Sequence, residues 1–182
     1  MLSDKNILDE FTANFCAIVE KHCKYVVVSG FFAISSGRSR GTEDIDIIIE
    51  KLTFDTFREL HVNLKQKGFD CIQTHDIKEI YDYLKDKLSV RYIYRHKDLP
   101  NMELKMARDK LDEIQIKNRK KYGLTGQDLW FAEIEMFLAF KEELLKSKKD
   151  IEDATHIREV YSDEINKSKI NKYKELIQRY RL

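Results

Sequence analysis

Residues 25–50 constrain the fold of this chain more than any other stretch. They begin with a continuous apolar run from Tyr25 to Val28, which predicts a buried strand. Ser29 and Gly30 follow, where the backbone can turn sharply, and three of the six glycines in the chain lie between positions 30 and 41. The stretch ends on a second predicted strand, which is acidic at its start. This order predicts a pair of strands joined by a short turn and a small polar loop.

Asp44 and Asp46 carry the chemistry of the second strand. Side chains two residues apart on a strand lie on the same face, so both carboxylates point the same way, and the intervening isoleucines fill the opposite face. Two carboxylates on one side of a strand are ligands for a hard divalent cation such as Mg²⁺ or Mn²⁺. Glu103 lies on the polar face of a later predicted strand, and we expect it to supply a third carboxylate.

The turn and the loop before the acidic strand predict a phosphate site. The backbone N–H groups of Ser29 and Gly30, with the Ser29 hydroxyl, can bind phosphate oxygens. Arg38 and Arg40 can neutralise triphosphate charge or hold an acceptor, and Thr42 lies in the same loop. Together with metal-bound carboxylates, these groups predict transfer of a nucleotidyl group from a nucleoside triphosphate (NTP) to a hydroxyl, with pyrophosphate leaving.

The rest of the chain alternates predicted helices and strands. Amphipathic patterns predict helices over residues 3–23, with Ser3 as the cap, and over 52–67, 76–87, 133–146, 150–161 and 168–180. Alternation predicts strands over 69–73, 88–94 and 102–107, and residues 112–124 are strand-like but basic. This order predicts an α/β (α+β) core over residues 1–126 and a C-terminal helical part, residues 127–182, that packs on it.

The composition argues against several classes of protein. The net charge is +1 although 36% of the 182 residues are charged, so no global basic field points to nucleic acid. The three cysteines show no Cys-x-x-Cys, which argues against a disulfide framework or a zinc site and favours a reducing cytoplasm. We see no signal peptide and no apolar run approaching ~18 residues, so we expect a cytoplasmic protein without a membrane span.

The central stretch resembles the nucleotidyltransferase fold of the polymerase-beta superfamily. The mark of that family is a strand ending in Gly-Gly or Gly-Ser, a polar loop, and then Asp-h-Asp, where h is apolar. The chain is most similar to the small prokaryotic members, and the matching positions are Gly30, Gly37, Arg40, Thr42, Asp44 and Asp46. Ser29 stands where these members have their first glycine, and Phe32 stands where they usually have alanine.

The C-terminal part extends the resemblance. Glu135, Lys141, Lys149, Asp150 and Asp153 look like the Glu…Lys…Lys-Asp-x-x-Asp tail of proteins related to abortive-infection nucleotidyltransferase toxins, which belong to toxin–antitoxin systems. Lys141 falls inside an apolar stripe, so it must snorkel, pair, or face a cleft where it touches phosphate or a catalytic acid. Asp150 and Asp153 are site candidates that could equally cap the next helix.

The resemblance implies a mixed sheet flanked by helices, and Mg²⁺-dependent transfer of a nucleoside monophosphate from an NTP to RNA, a protein or a small molecule.

Two other functions stay open. The chain could be a catalytically degenerate relative that binds a protein partner, as an antitoxin or a regulatory subunit; Phe32, and Glu103 in place of the more usual Asp, favour this. It could also be a metal-dependent nuclease, because Glu103-x-Lys105 after an upstream Asp resembles a restriction-type site. That hypothesis leaves the loop glycines and Arg40 unexplained.

Overall fold

Five strands form one mixed sheet in the spatial order β1-β2-β5-β4-β3 in the computed structural model, which describes residues 4–182. The strands are β1 (Tyr25–Val28), β2 (Asp44–Ile49), β3 (Phe69–Cys71), β4 (Val90–Tyr94) and β5 (Asn101–Met106). β2 pairs antiparallel with β1 and parallel with β5, and β4 pairs antiparallel with both β5 and β3. The mixed α/β architecture predicted from the sequence is confirmed.

Helices flank the sheet and make up most of the last third of the chain. They are α1 (Asp4–Val19), α2 (Gly30–Ser35), α3 (Phe54–Gln66), α4 (Ile77–Lys85), α5 (Lys110–Lys117), α6 (Ile134–Ala139), α7 (Lys148–Val160) and α8 (Lys167–Arg181). A π-helical segment, Phe140–Leu145, continues α6. The cap predicted at Ser3 lies outside the described residues. None of the helices in the described part of the chain is long and apolar enough to cross a membrane.

The strand-like interpretation of residues 112–124 is wrong, because Lys110–Lys117 form α5. Asp109 caps this helix by accepting two backbone N–H groups of its first turn. Leu111 and Gln115, four residues apart, are both buried, which is the spacing of one helix face. The basic residues that obscured the pattern lie on the exposed side and after the end of the helix.

One main hydrophobic cluster joins the sheet to both the N-terminal and the C-terminal helices. It includes Phe15 of α1, Ile47 of β2, Leu138 of α6, Ile157 of α7 and Ile177 of α8. The C-terminal helices therefore share the core of the sheet. The domain boundary predicted after residue 126 stays a prediction.

Phe32 of α2 lies at the centre of the contact between the sheet and the C-terminal helices. Its side chain is 1% exposed. Its ring centroid lies 5.1 Å from that of Tyr122, 5.2 Å from those of Phe131 and Phe137, and 5.7 Å from that of Tyr161. The large side chain of Phe32, which stands where the family that this chain resembles usually has alanine, therefore fills the core.

Candidate active site

Strand pairing brings the predicted acidic residues and the Ser29 turn together at one end of the strands. The antiparallel register sets Val28 opposite Asp46, so the turn at Ser29 lies beside the start of β2. The parallel register sets Asp44 opposite Asn101 and Asp46 opposite Glu103. Asp46 and Glu103, which are far apart in the chain, therefore become neighbours on two paired strands.

Lys105 lies between two of these carboxylates. Its Nζ is 3.2 Å from Asp46 Oδ1 and 2.8 Å from Glu103 Oε1. Arg91 Nη2 lies 3.2 Å from the other oxygen of Glu103. Burial alone would lower the pKa of Lys105, but the carboxylates of Asp46 and Glu103 outweigh it and raise that pKa above its ordinary value. One oxygen of each carboxylate therefore points at the same cationic atom.

Asp44 has a separate partner. Its Oδ1 accepts a hydrogen bond from Asn101 Nδ2 at 2.6 Å, and its side chain is exposed. Among the residues that the structure describes, no three histidine, cysteine or acidic side chains lie close enough together to hold a metal ion. The donor set still fits a hard divalent cation, because oxygens of Asp46 and Glu103 converge on a positive charge and Asp44 lies two residues away on the same strand.

Ser29 has an unusual backbone conformation. Its φ is 68° and its ψ is −155°, a region that essentially only glycine adopts without strain. The Ser29 side chain makes no capping hydrogen bond to α2. The strand-to-helix turn, rather than the hydroxyl, therefore explains why a glycine would suit this position.

Arg40 packs directly on Gly30 and then reaches α7. A Cβ atom at Gly30 would overlap the Arg40 guanidinium. Arg40 donates from Nε to Asp153 Oδ1 at 2.9 Å and from Nη2 to Asp153 Oδ2 at 3.0 Å. Arg38 Nη1 also contacts Asp153, and its Nη2 lies 2.7 Å from Glu152 Oε2. Both arginines predicted to bind nucleotide therefore hold the loop against α7.

Lys141 joins the same cluster from the π-helical segment. Its Nζ lies 2.5 Å from Asp150 Oδ1 and 3.0 Å from Asp153 Oδ2, and its side chain is 3% exposed. Burial lowers the pKa of Lys141, although the hydrogen bond to Asp150 opposes this. Asp150 also forms a capping box with Ser147 at the start of α7. Asp150 therefore caps α7, as one of its two predicted alternatives states, and also pairs with Lys141; its role in the site stays a prediction.

Two cavities flank the acidic end of β2. A cavity of about 220 Å³ between the sheet and the C-terminal helices is lined by Ser29, Asp46, Lys105 and Lys141 on its polar side. Its apolar wall includes the side chain of Phe140.

The second cavity is an open groove of about 710 Å³ on the other side of the acidic residues. Asp44, Thr42, Glu43 and Leu99 are among the residues that line it. The Thr42 hydroxyl donates a hydrogen bond to the backbone carbonyl of Asp44 at 3.1 Å. This hydrogen bond stabilises the loop itself. Asp44 lines the groove and Asp46 lines the smaller cavity, so the acidic end of β2 borders both spaces.

Sequence reasoning missed Asn101 and Arg91 as neighbours of the carboxylates, and it assigned Lys105 only to a nuclease. The signal was available for β5: Asn101, Glu103 and Lys105 alternate with apolar residues, so all three share one face. Arg91 lies opposite Glu103 on β4, which only the strand register reveals.

Comparisons with known proteins identify the fold. No protein-family model matches the sequence, and no curated protein matches it. An antigenic nucleotidyltransferase-like protein from Paracoccidioides brasiliensis is 15% identical, with 98% of this chain and 89% of that chain covered and a TM-score of 0.57. The antibiotic-resistance factor ANT(2'')-Ia is 12% identical, with 94% and 93% covered and a TM-score of 0.54. JHP933 from Helicobacter pylori is 16% identical, with 98% and 76% covered and a TM-score of 0.51.

These similarities show that the chain has the nucleotidyltransferase fold that its sequence predicts. Asp46, Glu103 and Lys105 also meet as a restriction-type Asp…Glu-x-Lys site would require. The fold alone does not assign a reaction, because one fold hosts many functions, so the choice rests on the residues of the site.

Proposed function

We propose that the protein is a metal-dependent nucleotidyltransferase, which moves a nucleoside monophosphate from an NTP to a hydroxyl of RNA, a protein or a small molecule. The observation that carries the proposal is the convergence of Asp46 and Glu103 on one cationic point beside the Ser29 turn. The nucleotidyltransferase fold supports it. Asp44 and Asp46 of the motif that resembles that family lie at the same end of the sheet as the Ser29 turn.

Asp46 and Glu103 would hold Mg²⁺ or Mn²⁺, and Asp44 would join them by exchanging its hydrogen bond to Asn101 for the ion. Such an ion, when bound, polarises the phosphoryl group and neutralises its developing charge. In the free protein, Asn101 orients Asp44 through their hydrogen bond. The pKa of Glu103 is lowered, because hydrogen bonds and charge from Lys105 and Arg91 outweigh the effect of burial. Glu103 is therefore ionised at neutral pH, as a metal ligand must be. An ionised carboxylate can also take the proton of the attacking hydroxyl, although the lowered pKa makes it a weaker base for that step.

The two cavities suit the two substrates. In our proposal the nucleoside lies in the 220 Å³ cavity against its apolar wall, and the triphosphate lies toward the Ser29–Gly30 turn and Lys141. The acceptor lies in the 710 Å³ groove beside Asp44. The acceptor oxygen then forms a bond to the α-phosphorus, and the bond from that phosphorus to pyrophosphate breaks.

Arg38 and Arg40 act on this site through the loop. Because both guanidiniums are bound to carboxylates of α7, they fix the position of the turn that carries Gly30. We therefore assign them a positioning role in nucleotide binding, and the buried Asp153 is their common anchor.

The test measures pyrophosphate release, and incorporation of α-labelled NTP into RNA, protein and small-molecule fractions, with each NTP and Mg²⁺. Asp46→Asn should reduce both by at least about 100-fold, because a lost metal ligand removes several kcal/mol of transition-state stabilisation. Asp55→Asn is the matched control, since Asp55 is exposed on α3 beside Arg58. Undiminished turnover in Asp46→Asn would overturn the proposal.

A catalytically degenerate binding protein is the second candidate. It is favoured by the observation that each of the three carboxylates already has a partner in the protein: Asn101 for Asp44, and Lys105 for Asp46 and Glu103. Calorimetry with each NTP and Mg²⁺ separates the two functions. Metal-dependent binding that is lost in Asp44→Ala/Asp46→Ala, together with turnover, supports the transferase. Binding without turnover, or no binding, supports a fold that works through a protein partner.

A further inference from the structure

The Lys105 ammonium occupies the point where a cation is expected. It contacts Asp46 and Glu103 at 3.2 and 2.8 Å, and the three side chains are 24%, 20% and 15% exposed. These exposures matter because water and ions can reach the group, so the contact is reversible and is not a fully buried ion pair.

Strand geometry explains why Lys105 reaches this point. Lys105 follows Glu103 by two residues on β5, so both side chains share one face. Its backbone lies opposite Ile48 on the parallel neighbour β2, and its flexible four-carbon stem extends back to Asp46, two residues earlier. The ammonium therefore bridges two strands whose carboxylates would otherwise repel each other.

We propose that Lys105 is an internal occupant of the metal position, which a divalent ion must displace before Asp44, Asp46 and Glu103 hold it. This inference rests on the proposed function, because it takes those carboxylates as the metal ligands. Since Lys105 also lines the 220 Å³ cavity, a triphosphate in that cavity offers the displaced ammonium a new anionic partner. Lys105 thus keeps metal binding weak in the free protein and couples it to nucleotide binding.

The experiment is a titration of the full chain with Mn²⁺ in the absence of nucleotide, with free Mn²⁺ measured by electron paramagnetic resonance. Lys105→Met, which keeps an unbranched side chain without the charge, should bind Mn²⁺ about 10-fold more tightly than wild type, because the competing ion pair is gone. Lys105→Gln should behave like Lys105→Met. Lys105→Arg keeps the charge and should bind as weakly as wild type.

Arg91→Met is the matched control. Arg91 contacts the other oxygen of Glu103 from outside the cavity and is 45% exposed, so its loss should change Mn²⁺ affinity less than about 3-fold. Thermal melting curves of each variant show whether it remains folded. Equal Mn²⁺ affinity in wild type and both uncharged Lys105 variants would overturn the role of Lys105.

Asp46→Asn in the Lys105→Met background separates this inference from the proposed function. Tighter Mn²⁺ binding by Lys105→Met than by wild type, which is then lost in the double variant, supports both. Equal binding by wild type and Lys105→Met that is lost on Asp46→Asn overturns the inference alone and leaves the metal site intact. Absence of Mn²⁺ binding in every variant, or binding that survives Asp46→Asn, overturns both.

Discussion

Ser29 shapes the turn at the centre of the candidate site. Its φ of 68° and ψ of −155° place an L-residue where the Cβ atom is strained. Strain of this kind persists where the surrounding structure fixes the backbone, and here β1, α2 and the packed Arg40 side chain do so.

Replacing Ser29 with glycine should stabilise the protein. We expect Ser29→Gly to raise the free energy of unfolding by about 1 kcal/mol, because relief of backbone strain exceeds the extra chain entropy of glycine in the unfolded state. Urea denaturation measures this. Ser29→Ala is the control, since it removes the hydroxyl but keeps the strained Cβ, and it should not stabilise. Equal stability of the two variants would show that the backbone conformation is not the cause.

Gly30 allows the close approach of Arg40. Gly30→Ala should lower the free energy of unfolding by about 2 kcal/mol, because the new Cβ displaces the guanidinium and weakens its two hydrogen bonds to buried Asp153. Gly41→Ala, where an added Cβ meets nothing within 4 Å, should be nearly neutral. In an Arg40→Ala background the effect of Gly30→Ala should disappear; an unchanged effect there would refute the argument.

At the scale of secondary-structure elements, α7 holds in place the loop between α2 and β2, which carries Arg38 and Arg40. Asp150 in the first turn of α7 binds Lys141 of the π-helical segment. Asp153, in its second turn, binds Lys141 together with Arg38 and Arg40 of the loop. The loop and the π-helical segment therefore both depend on the charges at the beginning of one helix. This dependence makes the stability of the cluster sensitive to pH.

The pKa of Asp150 determines the direction in which stability changes with pH. Burial would raise its pKa, but hydrogen bonds from Lys141 and Ser147 outweigh this and lower it below its ordinary value. A carboxyl with a lowered folded pKa stabilises the protein above its unfolded pKa of about 3.9, and this contribution is lost as the pH falls through the folded value. Asp150→Asn should therefore lower the free energy of unfolding by about 1.5 kcal/mol at pH 7.

The difference between wild type and Asp150→Asn should narrow as the pH falls below about 4, and urea denaturation at pH 7, 4 and 3 measures it. Asp163→Asn serves as the control, because Asp163 is exposed in the turn after α7. A deficit of Asp150→Asn that stays the same at pH 3 would show that its carboxylate charge is not what stabilises the cluster.

Elements whose signals are local could be predicted from the sequence. The helix that begins after Thr53 and the one that begins after Asp76 have side-chain caps and regular apolar spacing, which act within a few residues. α5 was missed because basic residues around its end obscured a short buried face. The acidic pair on β2 and its neighbour Glu103 were predicted because strand alternation fixes which side chains share a face.

The partners of the charged residues could not be predicted in the same way. Arg40 binds Asp153, 113 residues later in the chain, and no local pattern encodes that pairing. Lys105 was visible two residues after Glu103, but its contact with Asp46 depends on the parallel register of β2 and β5. The sequence therefore identified candidate metal ligands, while the charge balance around them depends on tertiary structure.

At the scale of the whole molecule, Phe32 makes the sheet and the C-terminal helices one packed unit. Three of its four aromatic partners, Phe131, Phe137 and Tyr161, come from the proposed C-terminal part. The 220 Å³ cavity lies in the same region, between the sheet and these helices. The shape of the cavity thus depends on the packing that Phe32 maintains.

We expect the chain to unfold in a single transition, although a domain boundary is predicted after residue 126. Trp130 is the only tryptophan of the chain, and its indole N–H donates to Glu20 of the segment after α1 at 2.7 Å, so its fluorescence reports contact between the two parts. Fluorescence and far-ultraviolet circular dichroism should give coincident urea curves.

Phe32→Ala should shift both urea curves together and lower the free energy of unfolding by about 3–5 kcal/mol, because it leaves a cavity in the shared core. Leu124→Ala, at a side chain that is 64% exposed, should shift neither by more than about 0.5 kcal/mol. If the two parts were independent domains, the curves would separate and Phe32→Ala would move them by different amounts.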